Sequence, residues 1–89
     1  LAWQIEWEVR ASRELLKLDK QIQRDIVRYF DEKIAPSTDP RALGKPLKGN
    51  LAGFWRYRLG DHRVICKILD EKITIMVVRV AHRRQVYDG

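Results

Sequence analysis

The sequence predicts a small α+β domain, in which a helical hairpin packs on a mainly antiparallel twisted sheet in the order β-α-α-β-β-β. Three observations carry that expectation. Residues 2–8 alternate apolar and polar side chains, residues 9–34 switch to a helical period, and residues 54–80 return to short alternating runs broken by turn residues. At 89 residues and 45% hydrophobic, the chain is long enough for one modest core and is expected to form a single domain over residues 1–89.

Trp3, Ile5 and Trp7 share one face of residues 2–8, with Gln4, Glu6 and Glu8 on the other, as in a half-buried strand. From Val9 onward Ala11, Leu15 and Leu18 recur at helical spacing, which predicts a short amphipathic helix through Leu18. Asp19 stands where an N-cap is expected. Ile22, Ile26, Tyr29, Phe30 and Ile34 then keep the helical rhythm until Pro36 stops it. Two helices with so short a link form a hairpin whose apolar stripe needs a sheet to cover it.

Residues 36–53 hold three prolines and three glycines and predict a long ordered loop. Such loops are often functional, and Lys45 and Lys48 within it either reach toward a binding face or are ordinary solvated lysines. Strands are expected at 54–59, 62–69 and 72–80, joined by two-residue turns at Gly60-Asp61 and Asp70-Glu71. These turns set Leu59 opposite His62, Arg58 opposite Arg63, Leu69 opposite Lys72, Cys66 opposite Ile75 and Val64 opposite Val77. Trp55, Tyr57, Val64, Cys66, Ile68, Ile73, Ile75 and Val77 then face the helices. Phe54, Arg56, Arg58, Arg63, Ile65, Lys67, Met76 and Val78 face away. The tail, residues 81–89, should leave the third strand beside the Gly60-Asp61 turn and deliver His82, Arg83, Arg84 and Tyr87 next to Arg58 and Arg63.

Charge is distributed unevenly. The formal net charge is +6; residues 1–44 carry eight Lys/Arg and eight Asp/Glu, whereas residues 45–89 carry ten and four. A one-sided cationic excess suits a polyanionic partner. Like charges directly opposite in a sheet, as at Arg58 and Arg63, are destabilising, yet three guanidinium groups on one face suit phosphate recognition. The single cysteine, Cys66, leaves no internal disulfide framework and fits a reducing, cytoplasmic compartment. No apolar stretch approaches a membrane span, and no basic-then-apolar leader precedes the first strand.

Two histidines, one cysteine and scattered carboxylates show no metal-ligand spacing, and neither a nucleophile elbow nor a phosphate-binding loop is present. No cofactor is expected. A site made of arginine, histidine and tyrosine suits RNA cleavage in which the substrate's own 2′-OH is the nucleophile. The protein then has to accept that proton, stabilise the crowded phosphorane and protonate the leaving 5′-oxygen. Arg58 and Arg63 suit the charge-stabilising role. His82 titrates nearest neutrality and is the proton-transfer candidate, though a surface histidine would read the same way. Tyr87 either packs on the core or stacks on a base.

These residues resemble a known family. The segment Leu47-Lys48-Gly49…Leu51-Ala52-Gly53-Phe54-Trp55-Arg56-Tyr57-Arg58-Leu59-Gly60-Asp61-His62-Arg63 and the ending Arg79-Val80-Ala81-His82-Arg83-Arg84-Gln85-Val86-Tyr87 are similar to the RelE branch of the RelE/ParE superfamily of bacterial toxins. The resemblance spans essentially the whole chain and implies a RelE-like fold. It also implies an mRNA interferase that cuts mRNA in the ribosomal A site, leaving a 2′,3′-cyclic phosphate and a 5′-OH. It further implies a RelB-like antitoxin as partner, with operator DNA bound only by the toxin–antitoxin complex. On this resemblance Arg56, Arg58, Arg63, Arg83 and Tyr87 are the catalytic set. Arg56 and Arg58 engage substrate, Arg63 stabilises the phosphate, Arg83 or its neighbour Arg84 acts as the acid, and Tyr87 stacks on a base. Lys45, Lys48, His82 and Arg84 are expected to contact RNA. Arginine at 56 and 58 is a poor general base because it stays protonated. Two other readings compete: a ParE-like inhibitor of DNA gyrase, and a non-catalytic nucleic-acid-binding module.

Overall fold

The computed structural model describes residues 2–83. Strand β1 (Gln4–Trp7) is followed by helices α1 (Val9–Leu16) and α2 (Lys20–Tyr29), then by strands β2 (Lys45–Pro46), β3 (Trp55–Leu59), β4 (His62–Leu69) and β5 (Thr74–His82). The five strands form one sheet in the order β1-β5-β4-β3-β2, with β1 parallel to β5 and every other pair antiparallel. Among the described residues no helix is long and apolar enough to cross a membrane.

The helices cover one face of the sheet. Ala11 from α1 and Ile26 from α2 meet Tyr57, Val64, Cys66, Ile75, Val77 and Val80, all buried. Phe30 stands at the centre, making edge-to-face contacts with Trp7 at 5.8 Å and Tyr57 at 5.5 Å between ring centroids. Cys66 lies within this core, where burial pushes its thiol pKa upward.

Several local expectations need correction. The first helix ends at Leu16, short of Leu18, and Asp19 occupies the N-cap position without a side-chain bond to the helix. The second helix closes in a π-helical turn over Phe30–Ile34, which keeps Phe30 and Ile34 on the core side up to the Pro36 stop. The long loop supplies the two-residue strand β2, which was not anticipated. The loop is held to the sheet at several points. Tyr57 Oη donates to the Pro40 carbonyl at 2.7 Å, and the Arg41 guanidinium makes a two-pronged pair with Asp70 at 2.9 and 2.7 Å. Arg41 also stacks over Trp55, 5.7 Å from the ring centroid. At Gly44 the loop passes so close to β3 that a side chain would meet the Arg56 carbonyl at 2.9 Å.

The β3–β4 hairpin has the expected register, with Leu59 opposite His62 and Arg58 opposite Arg63. Gly60 takes φ +56° while Asp61 does not go positive, the pattern of a turn with glycine at its first central position. The β4–β5 connection differs from expectation. It is a four-residue turn through Asp70–Lys72 and Ile73, not two residues, so Leu69 pairs with Thr74 and Cys66 with Val77. Ile73 leaves the predicted core face, taking φ +48° and remaining partly exposed. A bulge in β5 then shifts the register between Ile65 and Cys66, so that Val64 pairs with Val80, not Val77. Beyond the bulge every β5 side chain changes face relative to strict alternation.

Candidate nucleic-acid interface

The sheet face turned away from the helices carries the cationic side chains, and the register arranges them in rows. Lys45 pairs with Arg56, Arg56 with Ile65 and Ile65 with Arg79, giving one row across four strands. Two residues nearer the β3–β4 turn, Arg58 pairs with Arg63 and Arg63 with Ala81. Opposed residues in a ladder share a face, so Lys45, Arg56, Arg58, Arg63 and Arg79 line one surface. Ala81 is buried there, opposite Arg63.

The electrostatics of this face are unbalanced. Arg56 and Arg63 each bury an Nε that meets no acceptor among the described residues. Buried donors are nearly always satisfied, and leaving one unpaired costs about 1–3 kcal/mol. Both belong to guanidinium groups of the cationic face, the kind of group that pairs with anionic oxygens. Arg58 is exposed beside them. Arg79 is held differently: its Nε lies 2.9 Å from Glu14 Oε2 and its terminal nitrogen also lies 2.9 Å from that oxygen, while the Val80 N–H donates to Glu14 Oε1 at 2.8 Å. Glu14, on α1, therefore anchors Arg79 in the half of β5 that lies beyond the short strand β1.

Most of the expected site residues come together here. Arg56, Arg58 and Arg63 share the face, and Lys45 joins them directly opposite Arg56. Lys48 is exposed in the loop and belongs to no ladder. Arg83 leaves β5 at the same end of the sheet as Arg58 and Arg63. Its N–H donates to the Asp61 carbonyl at 2.6 Å, and its Nε lies 3.5 Å from the Asp61 carboxylate. His82 does not join the face. The bulge turns it to the helix side, where its ring meets that of His62 edge-to-face at 5.4 Å. Arg84 and Tyr87 lie outside the described residues.

Sequence reasoning missed Arg79 and its anchor Glu14 as members of the site. A signal existed in the run Val77-Val78-Arg79-Val80. Strict alternation from Val77 would bury Arg79 against the helices, and the cost of burying that charge is itself an argument for an extra residue in the strand. Among the described residues no three His, Cys, Asp or Glu side chains gather as a metal site. Chemically, the arrangement gathers several guanidinium groups at neighbouring ladder positions of one sheet face, suited to receiving phosphates.

Comparison with known proteins agrees with this reading of the fold. Residues 5–87 match the family model described as the ParE toxin of type II toxin–antitoxin systems. The chain is 32% identical over 87 residues to Toxin RelG of Mycobacterium tuberculosis, covering 98% of both chains. It is 31% identical over 77 residues to Toxin RelE of the same organism, covering 86% of this chain and 77% of that one. Among solved structures, the toxin–antitoxin complex RelBE2 of M. tuberculosis contains a chain with TM-score 0.85 at 31% identity, covering 93% of this chain and 100% of that one. The isolated E. coli RelE toxin superposes with TM-score 0.74 at 21% identity, covering 96% and 88%, a likeness of fold. The chain belongs to the RelE/ParE superfamily of type II toxin–antitoxin toxins, on its RelE side.

Proposed function

We propose that this toxin is an endoribonuclease that cuts mRNA in the ribosomal A site and so inhibits translation. The observation that carries the reading is the opposed pair Arg58–Arg63, with Arg56 and Lys45 on the same sheet face. In this mechanism the 2′-oxygen of the substrate attacks the adjacent phosphorus and gives up its proton. The P–O5′ bond breaks, and the departing oxygen takes a proton, yielding a 2′,3′-cyclic phosphate and a 5′-OH. Arg58 and Arg63 neutralise the charge gathering on the phosphorane oxygens, and Arg56 and Lys45 hold the neighbouring backbone. Arg83 assists the leaving oxygen, with Arg84 as its alternate, and Tyr87 stacks on an adjacent base. Lys48 steers the strand from the loop.

The described face carries arginines, which stay protonated, and His82 is turned from it toward the helices. Action on the ribosome leaves room for the 2′-OH proton to pass to a group outside this chain. A RelB-like antitoxin is the partner, as in the RelBE complexes to which the fold is similar. Operator DNA is engaged only through that complex, and the toxin acts in the cytoplasm without a cofactor.

The test is primer extension on a reporter mRNA translated in a purified system, with the wild-type chain or Arg63→Ala. Cuts within A-site codons that vanish in the variant are expected. Undisturbed translation without cuts would sink the interferase reading. The ParE description of the matching family model favours one second reading, inhibition of DNA gyrase, and supercoiling by purified gyrase is the assay that would then decide.

A further inference from the structure

Beside the cationic rows, the outer face holds a groove of about 320 Å³. Leu51, Phe54, Ile65 and Val78 give it apolar walls, and Lys67 and Arg79 stand at its flanks. The β5 bulge builds it. Val78 is the extra residue opposite no partner, so Val78 and Arg79 both turn outward, one as wall and the other as flanking cation. Phe54 presents a ring there, with the Lys67 ammonium 5.6 Å from its centroid.

A surface that bound only phosphates would have no use for this recess, and the recess lies on the opposite side of the sheet from the core. Its size is at the lower end of the range for small-ligand pockets, roughly 300–1,000 Å³. The rows Arg56–Ile65–Arg79 and Arg58–Arg63–Ala81 are two residues apart along the strands, about 6.6 Å, which is comparable to one backbone step of an extended single strand. Phosphates seated on successive rows therefore leave the base attached to the Arg56 row beside Phe54. Unpaired bases offer a π-face to aromatic side chains and to guanidinium planes. Glu8 and Arg10 at the rim provide an acceptor and a donor for a base edge.

We infer that the groove between Phe54, Ile65 and Val78 is a base-binding pocket, taking one unpaired nucleobase of the RNA strand whose backbone lies on the arginine rows. The inference rests on the RNA reading above and adds to it a contact to a base, separate from the phosphate clamp. Phe54 is a substrate-contacting residue, and Lys67 covers one side of its ring.

The test is binding of fluorescent single-stranded RNA heptamers, 2′-O-methylated throughout so that they cannot be cut, and matched heptamers with one abasic position each. With the wild-type chain, loss of the base at one position should weaken binding roughly tenfold, the effect of one stacking contact. Phe54→Leu should erase that difference while leaving the abasic heptamer bound as before. Leu51→Trp, which fills the groove from the loop without altering a strand, should do the same. Arg63→Ala should weaken both heptamers by a common factor. A base effect that persists in both groove variants, or no base effect in the wild type, would overturn the pocket and leave the arginine clamp standing. The same base-indifferent result is expected if the groove instead receives an apolar side chain of the antitoxin. Absence of any arginine-dependent binding to the free heptamers would overturn the pocket, and the primer-extension experiment on translating ribosomes decides the RNA reading separately.

Discussion

Arg58 and Arg63 stand directly opposite each other across the β3–β4 ladder, one exposed and the other with its Nε buried and unpaired. Such a pair works against the fold, since like charges at opposed positions destabilise a sheet by roughly 0.2–1 kcal/mol. Arg58→Thr should therefore raise the unfolding free energy measured in urea by roughly 0.2–1 kcal/mol. The same variant should lose most of its RNA cleavage. A variant that gains no stability would mean that the two guanidinium groups already avoid each other by side-chain rotation.

Tyr57 reaches through the core to the loop, where its hydroxyl donates to the Pro40 carbonyl at 2.7 Å. Burial raises the phenol pKa, so the group remains a donor throughout the working pH range. Tyr57→Phe keeps the ring contact with Phe30 and strands a carbonyl, which should cost about 1–2 kcal/mol in equilibrium unfolding. RNA cleavage should fall as well, because the loop that carries Lys45 is tied down at this point.

The Arg41–Asp70 pair ties the same loop to the β4–β5 turn on the molecular surface. The hydrogen bond from Arg41 is the main reason that the Asp70 carboxyl titrates below its ordinary value of 3.8. Its folded pKa lies beneath the unfolded one. The pair's contribution is therefore whole above the unfolded value and is lost as pH falls through the folded value. Urea midpoints measured from pH 6 down to pH 2 should show a loss beginning near the ordinary carboxylate value, reduced in Asp70→Asn. Identical curves for the two chains would remove this pair from the acid response.

Ile73 holds φ +48°, a conformation that a β-branched side chain adopts at a cost of about 1–2 kcal/mol. It is 38% exposed, so little packing is at stake. Ile73→Asn should stabilise the chain by roughly 0.5–1 kcal/mol, since asparagine tolerates the left-handed region through local hydrogen bonding. Thermal unfolding of the two chains decides the point, and a lower midpoint for the asparagine chain would show that the isoleucine is held by packing.

The helix and strand order was legible because the hydrophobic period changes cleanly at Val9 and again at Phe54. The Arg58–Arg63 opposition was legible because Gly60-Asp61 fixes a tight turn and the register follows by counting. The β4–β5 turn defeated the same counting. Asp70-Glu71 can sit in a two-residue turn or open a longer one, and local composition does not distinguish them. The choice is made by Ile75 and Val77 packing against the helices, which is a property of the whole sheet. His82 was misplaced for a related reason, because one inserted residue in β5 reverses every face after it. The same insertion brought Arg79 into the site. Pairing of β1 beside β5 depends on a parallel contact between residues some seventy positions apart, and no nearby signal announces it.

Strand β1 covers only the first half of β5, from Thr74 to Val77, and helix α1 packs against β5 beyond it, where Val80 and Ala81 are buried. An uncovered strand edge invites pairing with another chain and, from there, aggregation. Glu14 occupies the Val80 N–H and places a carboxylate, with the Arg79 guanidinium drawn over it, where a foreign strand would have to dock. The same carboxylate that sets the position of Arg79 also closes the Val80 backbone donor to any foreign strand.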